Sequence, residues 1–199
     1  VHDASETTSD SIALSLADGG ENSATAATGT FSITVTAIND SPVIATNTGG
    51  TVAEGGTLTI TTAMLNEGDP DDSGAGLTYS VTTASSNGRL ELSSAAGVSI
   101  ASFTQADVDA GIVQYVHDAS ETTSDSIALS LADGGENSAT AATGTFSIAI
   151  TAVNDAPVGA DAAGTLAYTE NDTATVIDGN LSLSDADDTN LESATITIS

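Results

Sequence analysis

The residues best suited to chemistry in this chain are its carboxylates, and they stand in short groups: Asn39-Asp40, Asp69-Pro70-Asp71-Asp72, Asn154-Asp155 and Asp185-Ala186-Asp187-Asp188. All four groups read as turn or connector sequence. Ca²⁺ takes roughly six to eight oxygens from carboxylates, amide carbonyls and water. In an Asp-x-Asp pair the alternating residues let both carboxylates face one ion, and Asn-Asp pairs at domain ends are suitable ligands. An isolated acidic turn is ordinarily solvated surface. Recurrence of the pattern at two junctions favours coordination.

The two junctions come from a long internal repeat. Val1 to Val43 recurs at Val116 to Val158, an offset of 115 residues, with four differences: Thr34 against Ala149, Val35 against Ile150, Ile38 against Val153 and Ser41 against Ala156. Such a period is too long for a solenoid unit and fits one whole sandwich domain. The register divides the chain into the C-terminal part of a first repeat domain (Val1–Asp40), a complete domain (Ser41–Asp155) and the N-terminal part of a further domain (Ala156–Ser199). The third opening does not repeat the wording that follows Ser41, so it belongs to a distinct type.

Other chemistries find less support. His2 and His117 are one position in two repeats; each reads as a hydrogen-bonding strand residue, and there is no His pair for zinc. Paired carboxylates suit glycoside hydrolysis, but the chain has no Trp and only three Phe and three Tyr to form a sugar platform. The serines near His117 and Asp118 lack a Gly-x-Ser-x-Gly elbow. Arg89, the single basic residue, reads as the local partner of an acid. No residue is assigned a catalytic or organic-cofactor role, and the chain is read as a non-enzyme.

Composition points the same way. Twenty-eight Asp and Glu stand against Arg89, a formal net charge of −27, which excludes nucleic acid as a partner and disfavours anionic membrane surfaces. No stretch approaches the roughly 20 apolar residues of a spanning helix, so no membrane insertion is expected in this segment. Such self-repulsion opposes compaction unless cations offset it. Without cysteine, stability must come from the core, from Ca²⁺ or from both. Val1 opens on polar sequence without a signal-peptide pattern, so any targeting signal is expected upstream.

A hydrophobic fraction of 39% carried by Val, Ile, Leu and Ala among Thr, Ser and Gly favours short strands and polar turns. Alternation predicts strands around Leu58 and Ile60, through Leu77, Tyr79 and Val81, and at Leu90 and Leu92. Further strands are predicted over Ile112 to Val116, Ile127 to Leu131 and Phe146 to Ile150, about seven in all. Ile127, Leu129 and Leu131 share a face, and Phe146, Ile148 and Ile150 point inward. A short helix is predicted over Gln105 to Ala110, capped by Thr104 with Asp107 three residues on, and stopped by Gly111.

Asn39-Asp40-Ser41-Pro42-Val43 and Asn154-Asp155-Ala156-Pro157-Val158 resemble the Asn-Asp-x-Pro linkers of bacterial cadherin-like domains. The run Phe103-Thr104-Gln105-Ala106-Asp107-Val108-Asp109-Ala110-Gly111, followed by Tyr115-Val116-His117-Asp118, is similar to the chondroitin-sulphate-proteoglycan repeat, a cadherin-related module. The resemblance implies an all-β fold of tandem antiparallel Greek-key β-sandwich domains in a linear array, with Ca²⁺ bound between domains. Glu54 and Glu170 match the early glutamate of the cadherin pattern, Asp118 with Glu121 its Asp-Arg-Glu segment without the arginine, and Asp133 its later aspartate. Asp69 with Asp71, and Asp185 with Asp187, match Asp-x-Asp.

Two sites follow from that assignment. The first combines Asp3, Glu6, Asn39, Asp40, Asp69 and Asp71, with or without Asp133. The second combines Glu54, Asp118, Glu121, Asn154, Asp155, Asp185 and Asp187. What the resemblance implies is a Ca²⁺-stiffened extender of a secreted or surface-anchored bacterial adhesin, supporting cell or substrate adhesion and partnered by Ca²⁺, by neighbouring repeats of the same chain and by a polysaccharide or cell-surface ligand. A Ca²⁺-dependent polysaccharide-binding module, or a filament subunit, is the alternative.

Overall fold

In sequences such as Ser-Ile-Ala-Leu-Ser-Leu every second side chain falls on one face of an extended strand, so burying that face selects a sheet. The computed structural model describes residues 6–19, 24–160, 164–195 and 197 and is almost entirely β. A hairpin comes first, β1 (Ser9–Leu16) with β2 (Ala27–Thr34). Then follow β3 (Ile44–Asn47), β4 (Gly50–Ala53), β5 (Thr57–Thr59), β6 (Leu65–Glu67), β7 (Thr78–Thr83), β8 (Gly88–Leu92) and β9 (Ser102–Thr104). Helix α1 (Gln105–Asp109) leads into β10 (Val113–His117), β11 (Ser124–Ala132) and β12 (Ala142–Thr151), and a small pair, β13 (Val158–Ala160) and β14 (Ser182–Ser184), closes the order.

Between residues 44 and 151 the strands form a β-sandwich. One sheet runs β4-β12-β11-β7-β9, the other β5-β10-β8, and β3 pairs with β6 at the side. Leu58, Leu90 and Tyr115 from the smaller sheet share one core with Tyr79, Leu129, Phe146 and Ile148 from the larger. Tyr79 stacks on Phe103 with ring centroids 5.1 Å apart. Ile127, Leu129 and Leu131, predicted to share one face of β11, and Phe146, Ile148 and Ile150, predicted to point inward on β12, are all buried. Ten strands occupy this stretch against the seven expected, because β3, β4, β6 and β9 are too short to show alternation.

Among the described residues all strand pairings are antiparallel except one. β4 runs parallel to β12, with Ile148 opposite Gly50 and Thr151 opposite Ala53. This departs from the purely antiparallel expectation for a topological reason: the chain enters along the edge it later leaves by, in the same direction. Entry and exit therefore fall at opposite poles. Ser41 Oγ accepts the Thr140 N–H (2.9 Å) at the entry pole, and Glu54 N–H donates to Thr151 O (2.9 Å) at the exit pole. Close approach along this edge requires glycine at position 49, where φ is +71° and a Cβ would stand 2.3 Å from Ser147 O.

The helix forms as its cap predicts. The Thr104 side chain accepts the Asp107 N–H (3.2 Å), Asp107 Oδ2 accepts the Thr104 N–H (2.8 Å), and Gly111 follows in the left-handed region. The structure ends α1 at Asp109, with Ala110 as its C-cap. Beneath it lies a polar network centred on the buried Tyr79 and Gln105: Tyr79 OH donates to Gln105 Oε1 (3.0 Å), and Gln105 Nε2 donates to Asn66 Oδ1 (2.9 Å) and Asp109 Oδ1 (2.7 Å). Arg89 pairs locally, as expected, with the buried Glu91 (Nε to Oε2, 2.7 Å).

The β1–β2 hairpin repeats β11–β12 in sequence and in register, Ile12 opposite Phe31 as Ile127 is opposite Phe146. Its surroundings differ. Phe31 is 60% exposed where Phe146 is fully buried, because the inner face of β11 and β12 is covered by the second sheet, whose Leu58, Leu90 and Tyr115 share its core, whereas β1 and β2 pair only with each other among the described residues.

Candidate metal centres

Each pole of the sandwich gathers carboxylates from both sides of a linker. At the entry pole, one oxygen each from Glu6, Asp40 and Asp71 lie within 4.8 Å of one another. Asp40 N–H donates to Asp71 Oδ2 at 2.7 Å, joining the linker to the turn after β6. Asp69 shapes that turn, its Oδ1 accepting the N–H groups of Asp71 (2.9 Å) and Asp72 (3.0 Å). Its own N–H donates to Glu67 Oε2 at 2.7 Å. Asp69 Oδ2 is buried with no hydrogen-bond donor, an orphaned acceptor of the kind that requires explanation.

Asn39 binds the same pole from the linker. Its Nδ2 donates to Asp133 Oδ2 (2.8 Å) and to Asp40 O (2.9 Å). Asp133 is buried, and the Asn39 side chain together with the Gly135 N–H holds its carboxyl below the usual aspartate range. Asp133 therefore meets the first group through Asn39. Asp3 lies outside the described residues.

The exit pole repeats this construction. One oxygen each from Glu54, Glu121 and Asp155 lie within 4.8 Å of one another. Asp155 N–H donates to Asp187 Oδ2, as Asp40 does to Asp71. Asp185 Oδ1 accepts the N–H groups of Asp187 (3.0 Å) and Asp188 (3.1 Å), as Asp69 does for its own turn. Asn154 Nδ2 donates to Asp155 O (2.6 Å), and Glu54 Oε2 accepts the Val153 N–H (3.2 Å). Partial desolvation, and then the facing charges of Glu54, Asp187 and Asp155, push the Glu121 carboxyl above the usual glutamate range.

Two expected ligands stand apart. Asp118 is outside the three-acid group; its Oδ1 accepts the Ser120 N–H (3.0 Å), and the Ser120 hydroxyl and N–H hold its carboxyl low. Glu170 is exposed and belongs to neither group. Sequence reasoning passed over Glu67, which orients the first Asp-x-Asp turn and whose only signal is its place two residues before Asp69. His117, read as a hydrogen-bonding strand residue, is one: it ends β10 buried, with Nδ1 accepting the Gly55 N–H at 3.1 Å.

The donor set at both poles is oxygen only; in both turns an aspartate has one oxygen engaged by backbone N–H groups, and in the first the other is left over. That set fits a hard divalent cation, and the orphaned Asp69 Oδ2 is where such a cation would supply the missing partner. These residues offer neither thiolate nor a paired imidazole.

Comparison with known proteins agrees with the fold. Human chondroitin sulfate proteoglycan 4 is 39% identical over 118 residues, covering 59% of this chain and 5% of that protein. The human extracellular matrix organizing protein FRAS1 is 36% identical over 169 residues, covering 84% of this chain and 4% of that protein. Extracellular matrix protein 3 of Lytechinus variegatus is 34% identical over 105 residues, covering 52% and 3%. The chain thus spans a twentieth or less of the relatives it matches. The cadherin-like family model matches residues 42–150, from the linker proline to the end of the sandwich core, and the chain belongs to the cadherin-like family.

Proposed function

We propose that this chain is an extender segment of a secreted or surface-anchored bacterial adhesin, whose tandem sandwich domains are stiffened by Ca²⁺ at their junctions. In this reading Val1–Asp40 closes one repeat, Ser41–Asp155 is a whole one and Ala156–Ser199 opens a further, distinct one. The segment works outside the cell, by binding and spacing rather than by catalysis.

The observation that carries the reading is the doubled construction. At each pole an Asn-Asp linker donates a backbone N–H to the second aspartate of the following Asp-x-Asp turn, and a glutamate from the preceding hairpin or loop approaches the same linker aspartate. Glu6, Asp40, Asn39, Asp69 and Asp71 would hold one ion; Glu54, Glu121, Asp155, Asp185 and Asp187 would hold the other. Bound Ca²⁺ supplies the positive charge that a chain of net charge −27 lacks at these points. The carboxylates, drawn from both sides of a linker, then hold the flanking elements in one orientation. Near-identical repeats suit a part that sets length. Extracellular relatives support the location, and the acidic composition suits a medium with millimolar divalent ions.

The test is calorimetric titration with Ca²⁺, paired with small-angle scattering before and after chelation. Two binding events and a longer, stiffer particle in Ca²⁺ are expected. No heat and no change of shape would return the acids to plain surface charge.

A further inference from the structure

We infer that His117 is the positioning residue of the exit-pole carboxylates, tying the turn that carries Glu54 to the loop that carries Glu121. The inference rests on the Ca²⁺-junction reading and assigns the residue that sets that junction's geometry. The His117 side chain is fully buried. Its Nδ1 faces two backbone donors from different segments, the Gly55 N–H at 3.1 Å and the Ala119 N–H at 3.3 Å. A nitrogen that accepts both carries no proton, so the ring hydrogen sits on Nε2 and donates to Thr122 Oγ1 at 3.0 Å.

One ring thus fixes residues adjoining both glutamates. Gly55 follows Glu54, while Ala119 and Thr122 bracket Glu121. The two segments touch at this point: a Cβ built on Gly55 would lie 3.5 Å from Ala119 Cβ. Gly55 and Ala119 both take left-handed backbone, at φ +63° and +65°. Alanine adopts that conformation at a cost, so an outside contact must hold Ala119 in place, and the imidazole supplies one. The His117 backbone adds another tie, its N–H donating to Gly56 O at 3.0 Å. Removing the acceptor would leave two N–H groups without their partner and free the segments that bring Glu54 and Glu121 together. Residues that orient ligands without touching the ion typically change metal affinity by about 10–100-fold.

The experiment compares His117→Phe, which keeps ring volume without an acceptor, and His117→Asn, whose Oδ1 can take both N–H groups. Ca²⁺ is titrated into the whole chain while the amide signals of Asp40 and Asp155 report the entry and exit poles separately. Amide exchange of Gly55 and Ala119 is followed without Ca²⁺. H117F is expected to weaken binding at the exit pole by about tenfold or more and to leave the entry pole unchanged, with both amides deprotected; H117N is expected to restore most of each. Unchanged exit-pole binding in H117F would overturn the inference, as would equal loss in H117N with both amides still protected. If the natural chain takes up no Ca²⁺, the junction reading fails, and the amides alone decide: deprotection in H117F with recovery in H117N upholds the tie, and protection in H117F removes it.

Discussion

Glu54 and Glu121, 67 positions apart in sequence, meet at one pole of the sandwich with Asp155, one oxygen of each lying within 4.8 Å of the others. Partial desolvation and the repulsion of facing carboxylates push Glu121 above the usual glutamate range. A raised acid stabilises the fold below its ordinary value, and that stabilisation is lost as pH rises through the elevated one. Without Ca²⁺ the chain should therefore lose stability across the range just above the usual glutamate value. Glu121→Gln should remove that loss, so the variant melts higher than the natural chain at neutral pH in chelator. In Ca²⁺ the order should reverse, with exit-pole affinity falling at least about tenfold as one charged ligand is removed. Thermal melts with and without chelator check both signs; a variant that is less stable in chelator would show that the acids do not repel.

The entry pole can be tested independently. Asp71 accepts the Asp40 N–H at 2.7 Å and belongs to the group with Glu6. Asp71→Ala should abolish one Ca²⁺-binding event and leave the other, so that calorimetric stoichiometry drops from two to one. Scattering should then show a chain bending at one place only. Loss of both events would mean that the two poles are coupled.

Much of the sandwich was legible because alternation is a local signal: β7, β10, β11 and β12 each run five residues or more with the buried set on one face. β3, β4, β6 and β9 were not, since three or four residues cannot show a period, and the parallel pairing of β4 to β12 depends on where the chain returns. The clusters were partly legible for the same reason. The repeat and the linker wording bring Glu6 with Asp40 and Glu121 with Asp155. Which carboxylates turn inward depends on turn geometry: the Asp118 carboxylate bends back to the Ser120 N–H, and nothing in its spelling distinguishes it from Glu121.

Asp125 predicts an acid limit for the core. Desolvation pushes its carboxyl up, but the N–H groups of Asn87 and Ser86, the Tyr115 hydroxyl and the Ser126 N–H outweigh that and hold it low. Stability from such a group is present above the ordinary aspartate value of about 3.9 and is lost as pH falls through the depressed one. Asp125→Asn, which keeps the shape and loses the charge, should cost about 1–3 kcal/mol at neutral pH. The cost should shrink on acidification below about pH 3.9. Urea unfolding across pH checks this, and a penalty independent of pH would assign the effect to packing alone.

Leu14 and Leu129 offer a comparison of one side chain in two surroundings. They sit at equivalent positions of identical strand sequences, Ser9–Leu16 and Ser124–Leu131, each opposite a glycine, Gly29 or Gly144. Leu129 is 2% exposed within the core, and Leu14 is 58% exposed on its hairpin. Propensity, strand register and neighbouring residues cancel in the comparison, leaving burial as the variable. Leu129→Ala should cost about 2–5 kcal/mol, the transfer free energy of the lost methyl groups plus the cavity they leave. Leu14→Ala should change stability by no more than about 0.5 kcal/mol. Equilibrium urea unfolding of the whole chain measures both. Equal costs would mean that the β1–β2 face is covered in solution, by a second copy or by another surface of the same molecule. Concentration dependence of the Leu14→Ala cost would separate the two, since only association between copies strengthens with protein concentration.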